Sequence, residues 1–155
     1  MFTVFIAMTR KEIKEFIRLG VVAITPALEF DSGLLTDFNS ERSNIYPKVW
    51  LESLEVDTVV PVSAPVDTWP IKLYIAGKDQ MDSKPSQYED LIDKADFIAQ
   101  KLIYQYRNVV KGFKLVEILG EKREPWIKKN ADCLTGVVLS FDLKATDATD
   151  VCVDD

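Results

Sequence analysis

Three carboxylates around one turn, Asp79, Asp82 and Asp90, come nearest to chemistry by type and spacing. Aspartates hold hard cations well, but a calcium loop sets its ligands at alternate positions with a glycine at the bend, and neither feature is present here. Helix capping explains the turn instead, since Asp82 or Ser83 accepts free N–H groups of the helix that follows and complements its dipole. No metal site is expected. Cys133, beside Asp132, would need a neighbouring base to become a thiolate nucleophile, and the chain has no histidine among its 155 residues. The same absence removes the commonest general base and the commonest metal ligand. Gly112, Gly120 and Gly136 stand singly, without the glycine arrays that cradle phosphate. No nucleotide or other cofactor is therefore expected, and the chain does not read as an enzyme.

Composition narrows the partners. Nineteen basic residues are scattered among twenty-five acidic ones, for a net charge of −6, and no basic stripe exists to follow a phosphate backbone. Cys133 and Cys152 lack CxxC spacing and read as reduced thiols. The apolar opening is too short to span a bilayer, which takes ~20 residues, so no membrane partner is expected. With 47% apolar residues the chain can bury one core, and a single domain follows.

The elements that must position any site read as follows. Thr9 and Glu12 have capping-box spacing, Ile13, Phe16 and Ile17 form one apolar face, and Gly20 is the predicted stop of a first helix. Phe2 to Met8 fits either a backward extension of that helix or a separate strand. Val21 to Phe30, interrupted by Pro26, suits an edge strand, and Asp31 to Ile45 reads as a long loop. Tyr46 to Leu51 starts a second strand. Val56 to Asp67, with Pro61 and Pro65, is a stiff connection or a projecting hairpin, and Ile71, Leu73 and Ile75 alternate as a strand. Ser86 and Glu89 repeat the capping-box spacing, and a stripe from Tyr88 to Tyr106 predicts a long helix over Ser86 to Arg107. Phe113 to Leu119 is a short strand, Gly120 to Asn130 a charged turn, and Leu134 to Lys144 an alternating last strand. The order is α–β–β–β–α–β–β, an α+β domain over residues 1–145, with an acidic, loosely held tail over 146–155.

Among the tryptophans, Trp50 suits packing on a sheet face, whereas Trp126 follows a proline in a charged segment and suits contact with another chain. Long excursions from a small domain usually act outside its own core. The predicted subunit interface is accordingly Phe38 on the first loop, Val59, Val60 and Val62 on the second, and Trp126.

The segments YPKVWLES, IKLYIAGKDQMDSKPSQYEDLIDKADFIAQKLIYQ and DCLTGVVLSFDL together resemble tail-completion proteins of tailed bacteriophages. In that group a strand opening on Tyr-Pro precedes a strand that leads into an Asp-Gln-x-Asp-Ser turn, and a long helix and a final LTGVVLxFxL strand follow. The matching positions are Tyr46-Pro47, Asp79 to Ser83 and Leu134 to Leu143, and the likeness covers about two thirds of the chain. It implies a tail-terminator-like fold, a twisted, mainly antiparallel sheet with helices on one face. It also implies subunits assembled as a ring at the end of a tail or in the neck of short-tailed phages such as the crAss-like group. The expected setting is the virion, with host cytoplasm during assembly. The implied partners are further copies of the chain, other neck or tail proteins such as portal, adaptor or tail-tube chains, and DNA only in passage through the channel. The family implies no catalytic residues. Two other readings stay open: an intracellular ligand-binding α+β domain or small enzyme, and a monomeric adaptor module.

Overall fold

Thr9 opens the first helix as its spacing predicts. Its backbone N–H donates to Glu12 Oε1 at 3.1 Å, and the Glu12 N–H donates to Thr9 Oγ1 at 3.3 Å, a reciprocal cap that satisfies two free donors. This helix, α1 (Arg10–Ile24), does not end at Gly20. The glycine lies under Tyr106, where an added Cβ would stand 2.1 Å from the ring's Cε1, so it serves a close approach and not a stop. The buried Tyr106 hydroxyl donates to the Ile17 carbonyl at 2.9 Å, and burial pushes its pKa far up, keeping it a donor.

The computed structural model describes residues 2–7, 9–24, 29–33, 48–52, 54, 57–59, 66–79, 82–109, 114–129 and 134–151. The ambiguous opening forms a strand, β1 (Phe2–Ala7). After α1 come β2 (Glu29–Gly33), β3 (Lys48–Glu52), β4 (Asp57–Val59), β5 (Val66–Lys78), α2 (Pro85–Tyr104), β6 (Lys114–Lys129) and β7 (Leu134–Val151). The class is α+β, as the sequence predicts, but its order gains β1 at the front and β4 in the middle. The segment 21–30 is corrected too, because its first residues finish α1 and the strand begins only at Glu29 and runs on to Gly33, three residues into the predicted loop at 31–45. The 56–67 excursion is in part a hairpin, with Asp57 opposite Thr68 and Val59 opposite Val66.

Pairing places the strands in five columns. β7 pairs antiparallel with β5 and with β6, while β3 pairs antiparallel with β5 and parallel with β2. Thr146 and Asp147 of β7 pair with both β6 and β1, so β1 lies on the side opposite β6 and continues the column of β5. By the same reasoning β4 continues the column of β3, since Asp67 and Thr68 pair with both β4 and β7. The sheet is thus mixed, with β6 and β2 at its outer edges. β7 runs to Val151, with residues 146–151 paired along β1.

Period-two alternation gives each strand one face toward the helices. Val49 and Leu51, Ile71, Leu73 and Ile75, and Val137, Leu139, Phe141 and Leu143 join Ile13, Phe16 and Ile17 of α1 and Ala95, Ala99 and Leu102 of α2 in one core. The long-helix stripe therefore packs on the Val137, Leu139, Phe141 face, as its periodicity predicts. Its cap lies earlier than Ser86, for the Lys84 N–H donates to Gln87 Oε1 at 3.0 Å, and a π-helical turn, Gln105–Val109, closes it. Leu139 is fully buried in β7, an interior strand of the sheet. Leu139→Ala is expected to cost ~2–5 kcal/mol of unfolding free energy, as a deleted core side chain leaves a cavity, read from the denaturant midpoint.

The predicted turn at 120–130 is the clearest correction. β6 runs unbroken through it, with bulges between Leu119 and Lys122 and between Trp126 and Lys129. Gly120 takes φ 62° at the first bulge, a left-handed conformation that glycine adopts without strain. Pro125 is tolerated because an edge strand does not need every N–H in a ladder.

Candidate functional site

The sheet's second face, turned away from the helices, gathers the side chains with the most distinctive surroundings. Trp50 from β3, Tyr74 and Ala76 from β5, Leu134 from β7 and Trp126 from β6 form a separate buried cluster with Val138 against it. The Tyr74 and Trp126 rings lie 5.1 Å apart at 59°, a tilted contact that aromatic quadrupoles favour. The Tyr74 hydroxyl donates to Glu52 Oε2 at 3.2 Å. Burial first, and then the Glu52 carboxylate, push its pKa up to about 12, so it stays protonated.

Lys48 is nearly sealed, with 1% of its side chain exposed. Its ammonium lies 3.6 Å from Glu29 Oε1 of β2 and 5.4 Å from the centre of the Trp50 ring. A carboxylate and an aromatic face together offset the cost of burying that charge. Lys122 and Glu124, two apart on β6, share a side of the strand and form an ion pair. Hydrogen bonding to Lys122 holds the Glu124 carboxyl below its ordinary range, and Lys72 across the sheet adds to this.

Of the predicted interface residues, Trp126 is in a strand, not a loop, and is only 8% exposed. Its contacts are with Tyr74 in its own chain. Val59 lies on β4, but its side chain is outside the described residues, as are Phe38, Val60 and Val62 altogether. Asp79 accepts a hydrogen bond from Thr135 Oγ1 at 2.8 Å, tying the end of β5 to the start of β7, while Asp82 is exposed. Cys133 and Cys152 lie outside the described residues. Among the described residues no group of three or more His, Cys, Asp or Glu is gathered to hold a metal. No described helix is long and apolar enough to cross a membrane.

The helix layer carries a surface that the sequence reading missed. Leu19 and Val22 of α1 are 45% and 41% exposed, and Phe97 and Tyr104 of α2 are 57% and 60% exposed. A signal for it exists in the sequence, because Leu19 and Val22 are three apart and Phe97 and Tyr104 seven apart, spacings that keep each pair on one helix face, off the buried stripe. A hollow of about 400 Å³ between the helices is lined by Ala23, Ile24, Phe97, Lys101 and Tyr104. A second, of about 300 Å³, lies beside Arg10, Lys11, Lys14 and Glu52. No protein-family model matches this chain, and no curated protein matches it.

Proposed function

We propose that this chain is a virion structural protein, a ring-forming tail-terminator or neck subunit at the head–tail junction of a tailed bacteriophage, acting by assembly and not by catalysis. One observation carries the reading. The three segments that resemble tail-completion proteins cover β3, the later part of β5 with α2, and the first part of β7, which are neighbouring columns of the sheet and the helix packed on them. The likeness thus falls on one contiguous unit and not on scattered strands. A ring needs two different, complementary faces on each subunit, related by a rotation that closes. The predicted excursions at 31–45 and 56–67, apart from their paired strand residues 31–33, 57–59 and 66–67, are assigned to contacts with neighbouring chains, and the net charge of −6 suits a channel through which DNA passes without sticking.

The test is electron microscopy of the full chain, alone and mixed with portal, adaptor and tail-tube chains. Closed rings are expected. Shortening the chain within 34–45 or within 60–65, outside the paired strand residues, is expected to leave circular dichroism and melting nearly unchanged and to abolish the rings. A full chain that forms no closed ring under any of these conditions would sink the reading.

A further inference from the structure

We propose that the exposed face of the α1–α2 layer is a self-association surface, on which a second copy of this chain docks about a two-fold axis. The argument begins with where the two helices start. Arg10 holds the beginning of α1 at the beginning of β5, its guanidinium 5.7 Å from the centre of the Trp69 ring. The first turns of α2 lie at the other end of β5, where Leu91 Cδ2 stands 3.2 Å from the position a Cβ on Gly77 would take. Trp69 and Gly77 are roughly 26 Å apart at about 3.3 Å per strand residue. The later halves of the two helices meet between these ends, where Ala23 and Ile24 of α1 line one hollow with Phe97, Lys101 and Tyr104 of α2.

Charge follows this axis. The first half of α1 carries Arg10, Lys11 and Lys14 against Glu12 and Glu15, a net positive end. The first half of α2 carries Glu89, Asp90 and Asp93 against Lys94, a net negative end. Between them lie the exposed Leu19, Val22, Phe97 and Tyr104, with the hollow beside Ala23 and Ile24 at their centre. The layer therefore reads basic, apolar, acidic along one line.

A two-fold axis that lies in the interface and crosses this line at the apolar patch sets each basic end over the partner's acidic end and patch on patch. The other in-plane axis, along the helices, stacks like charge on like charge and is disfavoured. Self-complementarity under a two-fold is what an isologous dimer requires, and this surface meets the requirement in charge and in apolarity. The pairing does not depend on the ring reading, because it uses the helix layer and neither long excursion.

Light scattering and sedimentation of the full chain over a range of concentration test it. A species of two copies is expected, one that loosens as salt rises. Phe97→Glu, at an exposed position, is expected to weaken it by about tenfold or more with melting unchanged. Lys14→Glu and Asp93→Lys are each expected to weaken it, and the double variant to restore it, because the two-fold sets each reversed charge over its reversed counterpart. Folding failure cannot mimic that rescue. A chain that stays monomeric throughout, self-association indifferent to Phe97→Glu, or no rescue in the double variant would each overturn the proposal. Ring formation by the Phe97→Glu variant would leave the virion reading standing without this contact.

Discussion

Gly136→Ala is expected to destabilise the fold by more than about 3 kcal/mol, the largest effect of any single methyl group added to the described glycines. A Cβ built at Gly136 would stand 1.8 Å from the Ile75 carbonyl oxygen and 2.8 Å from the Ala76 Cα. Both atoms belong to the backbone of β5, which is paired with β7 along its whole length, so relief would require separating two central strands. Gly20 differs, since the atoms nearest its Cβ would be those of the Tyr106 ring, a side chain that can shift where backbone cannot, at the cost of its own contacts. On the other side of Gly136 lies Trp126 of β6, and an aromatic ring across from a glycine covers backbone that a side chain would otherwise shield. Guanidinium unfolding of wild type and variant measures the difference. A midpoint that does not move would show that the two strands can part there without loss.

How much was legible depended on whether a pattern stayed local. The Thr9 and Glu12 box, the α2 stripe and the alternation of Leu134 to Lys144 each state their geometry within a few residues, and each is observed. Gly20 misled because a glycine that ends a helix and one that admits a neighbouring ring look alike in sequence. The partner, Tyr106, is distant in the chain, and only the fold brings it near. The strand through 120–130 was hidden for a related reason. Gly120 and Pro125 are turn residues in isolation, but on an edge strand a bulge absorbs the first and a missing ladder bond the second. The short β4 and the parallel β2–β3 pair depend on distant partners, which no local period announces. On the site, the sequence drew attention to tryptophans and loops, whereas the exposed apolar set is distributed over two helices that touch only after folding.

Trp126 is where these limits produce the second large expected effect. The sequence assigns it to contact with another chain, and a ring exposed for that purpose could be truncated with no loss of stability in the isolated chain. In the structure it is 8% exposed and packed on Tyr74 in a cluster with Trp50, Ala76 and Leu134. Trp126→Ala is therefore expected to cost ~3–5 kcal/mol, the range for deleting a large buried aromatic. The loss has three sources: the apolar area of the indole, the tilted contact with Tyr74, and the shielding of the backbone around Gly136. Trp126→Phe keeps a ring against Tyr74 and is expected to cost less than half as much. Denaturant unfolding of the two variants in dilute solution, where no partner is present, separates stability from assembly. A Trp126→Ala chain with an unchanged midpoint would return this residue to the interface and take the aromatic cluster out of the fold's energetics.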